Sequence, residues 1–486
     1  MRSLVIDVGT SGLRAAVVEA DASVSNLHYE ECAPHSPVGG LVEFDAVAMY
    51  TAVKRVSLLA LQSGPVQSVG ITNQRASAVA WRVSTGQPIG PAIGWQDLRT
   101  VGECIMARIE HGFTLAPNQS ATKYAWMLAN YIADESERSS DDILMGTVES
   151  WIVWNLTQGK HHVTDHTNAA VTGLTVPTGT AWNQNVIDVL KLHTHQLPRI
   201  VDTMGYIGDA TDLPGAPPIH AMVGDQQGSL VGQGCISPGM TKITFGTGGM
   251  LNVFTGDRAP DSARRNEGGT FPIVAFSNNG ALSYATEAIM LSAGTNIEWL
   301  RDDMGLISSS SESHDIASQC ETTEGVAYVP ALLGLGTPFW DYGARGSIFG
   351  ITRGTTRAHI VRAVLEGVAH RGVDLVDAAE KDSGLSITEL RIDGGMSRNP
   401  TFVQSLANAS GRPVRVSPIT EATTLGAGFL AGTAAGQWSH LDEATNAISG
   451  ATLVPPLGTP GISRQQWGEA VSRSRSWIPD LSALDF

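Results

Sequence analysis

The chain has 486 residues, 42% of them apolar and 16% charged, a balance that builds packed cores and excludes a disordered chain. Its formal net charge is −16, from 31 basic and 47 acidic residues, and without a Lys/Arg cluster to follow a phosphate backbone nucleic acid is excluded as a partner. No apolar run reaches the roughly 18 residues of a membrane span, and Met1 leads directly into a strand-like run, so the expected location is the cytoplasm, without membrane insertion.

This length exceeds what one hydrophobic core usually supports, which predicts two domains with a ligand cleft between them. Cys32, Cys104, Cys235 and Cys320 lack C-x-x-C spacing and read as reduced thiols. His161, His162, His166, His193 and His195 read as solvated loop residues, since no helical H-x-x-x-H accompanies them.

In chain order, strands are predicted over 3–8 and 12–19, flanking a Gly-Thr-Ser-Gly turn, with Asp7 in the first apolar run. The turn offers N–H groups and hydroxyls to an anion, and a carboxylate beside a phosphate cradle suggests a bridging Mg²⁺. An ordinary hairpin with a turn-stabilising Asp explains the same residues. A helix over 46–62, strands over 66–72 and 77–82 and a helix over 97–111 follow, an α/β alternation. The Pro/Gly-rich "DATDLPGAPP" of 209–218 reads as a linker, dividing the chain into domains 1–219 and 220–486.

Beyond it, "HAMVGDQQGSLVGQG" (220–234) delivers Asp225, Gln226 and Gln227 at the start of a predicted helix. Asp225 is either a helix cap or an active-site carboxylate. "MTKITFGTGGMLNVFTG" (240–256) repeats the strand, glycine turn and strand of the opening, placing Gly246-Thr247 on Gly9-Thr10 and Thr244 on Asp7. In "LRIDGGMSRNPTFVQSLANASG" (390–411) a strand meets a glycine pair and then a helix punctuated by Pro400 and Gly411. The bare backbone of that pair suits a flat purine.

"GITNQRASAVAWRVSTGQPIGPAIGWQDLRT" (70–100), "SATKYAWMLAN" (120–130) and "GSIFGITRGTTRAHIVRAVLEG" (346–367), with "GDQQ", "FGTGG" and "DGGMSRN" in order, resemble the FGGY family of carbohydrate kinases over nearly the whole chain. The resemblance implies the actin-like (ribonuclease H-like) ATPase fold: α/β, two domains, each with a central mixed β-sheet and flanking helices. It implies ATP and Mg²⁺ as cofactors and a small polyol or sugar as substrate. A homodimer or larger homo-oligomer is expected.

Residue by residue, the resemblance makes Asp225 the general base and Asp7 the Mg²⁺ carboxylate. Thr10, Ser11, Arg14 and Thr247 become phosphate-loop contacts, and Gly294, Glu298, Gly395 and Asn399 nucleotide-binding positions, Glu298 standing where a glutamine is usual. Arg75, Trp95, Asn118, Asp225, Gln226 and Met250 would line the substrate pocket. There the chain departs from the family's glycerol-phosphorylating members, with Ala76 for a glutamate, Asn118 for a tyrosine and Met250 for a phenylalanine. A substrate of different length or stereochemistry is therefore expected, in a roomier pocket, with glycerol still possible. The competing reading is an actin-fold ATPase or nucleotide-gated protein that phosphorylates no sugar, for which a base beside a polyol pocket has no use.

Overall fold

A computed structural model describes residues 2–459 and 461–483. Thirteen strands join edge to edge in one sheet. In chain order they are β1 (Ser3–Val8), β2 (Gly12–Val18), β3 (Val24–Glu31), β4 (Ser68–Asn73), β5 (Met204–Asp209), β6 (Pro218–Gly224), β7 (Thr241–Phe245), β8 (Gly249–Gly256), β9 (Phe271–Asn278), β10 (Ala281–Met290), β11 (Leu390–Asp393), β12 (Val414–Val416) and β13 (Thr452–Val454).

The sheet has two halves, ordered β3-β2-β1-β4-β6-β5 and β9-β10-β8-β7-β11-β12-β13, joined through the single pair Met204 and Asn278. Within the first, β3, β2 and β1 are antiparallel and β1, β4 and β6 parallel. The second repeats the arrangement, with β10, β8 and β7 antiparallel and β7, β11 and β12 parallel. The two glycine-turn hairpins aligned from sequence are therefore equivalent parts of a duplicated sheet, in the actin-like fold.

Each half has its own core. Leu4, Ile6, Val69, Ile71 and Trp151 are among the buried residues on one face of the first half, and Ile243, Phe245, Leu251, Ile392 and Phe402 are among those of the second. The helix α4 (Ala422–Ala434), late in the chain, crosses back to the first half, where Leu425 and Phe429 pack with Val5, Val18 and Val223. It lies against α1 (Asp225–Gly232) through glycines: a Cβ on Gly232 would fall 1.8 Å from the carbonyl oxygen of Ala422, and one on Gly426 1.8 Å from that of Gly228. Only side-chain-free residues permit this approach, which brings the N-terminus of α4 to Asp7.

The predicted strands and helices occur within a few residues of their expected bounds. Segment 209–218 is different: β5 and β6 pair antiparallel around it, so it contains a hairpin loop rather than a linker. Proline and glycine break periodic structure equally well in a tight connection and in a spacer, and β6 completes the first half of the sheet.

Candidate active site

The parallel trio β1-β4-β6 decides where the acids stand. Asp7 and Val223 both lie opposite Thr72 of the intervening strand, so the ends of β1 and β6 emerge at one level on either side of β4. Asp225 follows Val223 by two residues and begins α1, whose N-cap is Gly224 and has no side-chain cap bond. Asp225 is therefore the first helical residue and not the N-cap. Its Oδ1 accepts from the Gln226 N–H at 2.7 Å and lies 3.5 Å from Arg75 Nε. Burial raises its pKa, opposed by Arg75, the Gln226 N–H and Lys242, while Glu287 adds to the rise. Upstream, the Gly224 N–H donates to Thr167 Oγ1 at 2.8 Å, and Thr167 is in turn held by buried Asp165, which fixes the backbone that carries the acid.

Arg75 reaches across from the first half. Its Nη2 donates to both carboxylate oxygens of Glu287 on β10, at 2.9 and 3.1 Å. Gln226 accepts at Oε1 from Lys242 Nζ at 2.8 Å. Trp95, 36% exposed, donates from Nε1 to Thr10 Oγ1 at 3.1 Å and so ties the predicted substrate segment to the first glycine turn. Met250 is half-buried on β8 and Asn118 is exposed in a loop. Ala76 is buried in a left-handed conformation, φ 62°, its carbonyl accepting from Ser120 Oγ at 3.0 Å.

The first glycine turn is closed by the Gly9 N–H donating to the Gly12 carbonyl at 3.0 Å, leaving Ser11 exposed. Asp7 is 4% exposed, its Oδ2 3.6 Å from Arg14 Nε and accepting from Thr424 Oγ1 of α4 at 3.2 Å. Burial pushes its carboxyl up to about 6 against the pull of Arg14. Arg14 also donates to Glu421, the residue before α4. On the second turn Thr247 is exposed, and α2 (Thr295–Asp302) is docked onto it: the N–H groups of Ala293 and Gly294 donate to the carbonyls of Thr247 and Gly246, each at 2.8 Å. Glu298 is exposed in the first turn of α2. At the third glycine element Gly394 adopts φ 87°, and a Cβ on Gly395 would meet nothing within 4 Å. Asn399 caps α3 (Pro400–Ser410), accepting from the Phe402 N–H at 3.1 Å and donating to Ser313 Oγ at 2.8 Å.

Among the described residues no group of three or more His, Cys, Asp or Glu could hold a metal. A lone buried carboxylate of raised pKa beside a turn rich in N–H and hydroxyl groups nevertheless fits Mg²⁺, which is usually held by one or two carboxylates, substrate phosphates and water.

Sequence models for the two domains of the FGGY family of carbohydrate kinases both match, the N-terminal domain over residues 3–232 and the C-terminal domain over 241–435. The chain belongs to that family. It is similar to glycerol kinases of Shewanella frigidimarina, 36% identical with 96% of this chain and 97% of that protein covered, and of Deinococcus radiodurans, 36% identical with 99% of each covered. Among solved structures, Plasmodium falciparum glycerol kinase with ADP is 27% identical and superposes with a TM-score of 0.90 over 97% of this chain and 98% of that one. A xylulose kinase from Lactobacillus acidophilus, 20% identical, shares the fold, with a TM-score of 0.85 and 97% of each chain covered. The protein is an enzyme, an ATP-dependent kinase of a polyol or sugar.

Three buried polar residues that contact the candidate site escape sequence reasoning: Lys242, Asn252 and Glu287. Their only signal is polarity inside apolar strands, in "TKITF", "LNVF" and "YATEAIM", which does not say what they reach. The histidines also need correction. His162 is not solvated but packs edge-on against Trp81, ring centroids 5.3 Å apart, with Nε2 2.9 Å from the Met145 carbonyl. Burial pushes it down to about 4, so it stays neutral at neutral pH. Among the described residues no helix is long and apolar enough to cross a membrane.

Proposed function

We propose that the enzyme transfers the γ-phosphoryl group of ATP to a hydroxyl of a small polyol or sugar that is longer than glycerol or differs from it in stereochemistry, with Asp225 as general base. The observation that carries this reading is the position of Asp225: a carboxylate of raised pKa at a strand end, at the first position of α1 rather than at its N-cap, beside an arginine and a glutamine and one strand removed from the strand that carries Asp7. Such a carboxylate accepts the hydroxyl proton as the oxygen attacks phosphorus, and phosphoryl transfer otherwise asks mainly for positioning and charge stabilisation.

In this reading Thr10, Ser11, Arg14 and Thr247 contact the phosphates, and Gly294, Glu298, Gly395 and Asn399 border the nucleotide. Asp7 would hold Mg²⁺, whose charge offsets that of the phosphate oxygens. Arg75, Trp95, Gln226, Asn118 and Met250 surround the alcohol. Ala76 supplies no hydrogen bond where a glutamate would, Asn118 a shorter amide in place of a phenol, and Met250 a more adaptable wall than a phenylalanine, which supports a substrate other than glycerol alone. A cytoplasmic location, a division into two domains and assembly into a homodimer or larger homo-oligomer belong to the same reading, the last tested by velocity sedimentation.

ADP release measured over glycerol, tetritols, pentitols, ketopentoses and hexoses tests the substrate class. Efficient turnover of a compound larger than glycerol is expected. Turnover confined to glycerol overturns the reading of Ala76, Asn118 and Met250.

A further inference from the structure

Three polar side chains interrupt the interior of the second half at a single level of its sheet. Lys242 of β7 lies opposite Asn252 of β8, and Asn252 lies opposite Glu287 of β10. Residues directly opposite one another on adjacent strands project to the same face, so the three form a row, with exposures of 0%, 0% and 5%. Lysine and glutamate are seldom buried unless paired. These two are separated by the asparagine, and each reaches out of the row to a different residue beside Asp225.

Lys242 Nζ donates to Gln226 Oε1 at 2.8 Å and to Thr244 Oγ1 at 3.0 Å. Glu287 accepts from Arg75 Nη2 at both oxygens and from Asn252 Nδ2 at 3.1 Å. Asn252 Oδ1 is buried without a hydrogen-bond partner, although the ammonium lies on the facing residue. That ammonium donates to Gln226 and Thr244 instead, so its hydrogen bonds lead out of the row rather than to Asn252.

We propose that the row Lys242, Asn252 and Glu287 is the element that orients Gln226 and Arg75 on either side of Asp225, and so sets the hydrogen-bond polarity of the substrate pocket. The inference rests on the kinase reading above. An ammonium has only donors, so the Gln226 atom facing it is the carbonyl oxygen, and the amide NH2 is left to address the substrate. Gln226 then offers its two amide N–H groups to a substrate oxygen. Glu287 holds Nη2 of Arg75 across the two halves, which leaves the Nε edge 3.5 Å from the Asp225 carboxylate. The substrate oxygens beside these two residues are therefore met by donors, and Asp225 is the acceptor. Lys242, Asn252 and Glu287 touch no reacting atom and are positioning residues.

The test is a pair of double-mutant cycles read by steady-state ADP release, with glycerol as fixed reference alcohol beside the compound of the panel that turns over fastest, and by calorimetric titration with ADP. Lys242→Met, which keeps the length and removes the charge, is expected to raise KM for the alcohol about tenfold, the scale of one misdirected hydrogen bond, with ADP affinity within about twofold. Added to Gln226→Ala, the same change should raise KM by no more than about twofold further, because its effect passes through the missing amide. Should Lys242→Met not fold, Glu287→Gln measured against Arg75→Ala poses the same question. Multiplicative KM effects in the cycle that folds, or an unchanged KM in Lys242→Met, overturn the inference while leaving the kinase reading intact. A wild-type protein inert toward the whole panel overturns both.

Discussion

Restoring the missing carboxylate at position 76 is the sharpest perturbation of the substrate pocket. Ala76 is 6% exposed with φ 62°, and since alanine and glutamate share a Cβ, Ala76→Glu adds no new left-handed penalty to the backbone. The effect is then that of the carboxylate itself. A hydrogen bond to a charged group contributes about 1.5 to 3 kcal/mol, which is roughly ten- to a hundredfold in affinity. Glu287 already holds Arg75 from 2.9 Å, so the new acid gains from substrate hydroxyls rather than from a fresh ion pair, and the lower end, about tenfold, applies. The assay is ADP release with glycerol and with the best panel substrate, alongside the thermal midpoint. The expected result is a kcat/KM for glycerol raised about tenfold, with a smaller change or a loss for the larger compound. A folded variant whose preference between the two is unchanged would refute the argument that Ala76 sets selectivity.

Other expectations concern the metal, pH and capping. Asp7→Ala should lower kcat with Mg²⁺-ATP by about 100-fold or more while nucleotide affinity stays within a few-fold; turnover retained at saturating Mg²⁺ makes Asp7 a structural residue. Glu149 is fully buried, its carboxyl pushed up to about 7 by burial. The folded state therefore keeps a proton that the unfolded chain has already released, and stability falls as pH rises from about 4.5 to 7, by on the order of 3 kcal/mol. Urea unfolding of Glu149→Gln at pH 5 and 7.5 should show that decline reduced relative to wild type. Lys123 has the opposite sign. It is buried without a hydrogen-bond partner and burial pushes its pKa down to about 7. The unfolded chain binds the extra proton above that value, so wild-type stability should rise from about pH 7 to 10, and Lys123→Met should flatten the rise. Asn399→Ala removes the α3 cap and should cost about 1 kcal/mol in denaturant unfolding.

Local features of this fold were legible because the residues that cause them are adjacent in the chain. The strand, glycine turn and strand at Asp7 and again at Thr244 show themselves by spacing, and their equivalence is matched by the repeated strand order. Helix α3 carries both of its punctuation marks, Pro400 after the cap and Gly411 in the left-handed conformation with φ 64°. The candidate site was proposed from sequence only where its residues fall inside motifs. It was not legible where register decides: Lys242, Asn252 and Glu287 meet only because β7, β8 and β10 align at one level, and the sequence does not encode that offset locally. The same holds for Glu421 and Thr424, which reach Arg14 and Asp7 only because glycine contacts bring α4 back beneath the first half. His162 was misread for a related reason, since solvent exposure of a loop residue depends on what packs over it.

The central claim is that Asp225 acts as the base of an alcohol kinase. Asp225→Asn preserves shape and removes the charge, so ADP release in the presence of the best panel alcohol should fall by about a thousandfold or more, while calorimetric binding of ADP stays within a few-fold of wild type. Alcohol-dependent turnover that survives the substitution, or nucleotide turnover that proceeds at the wild-type rate without any alcohol, would contradict it.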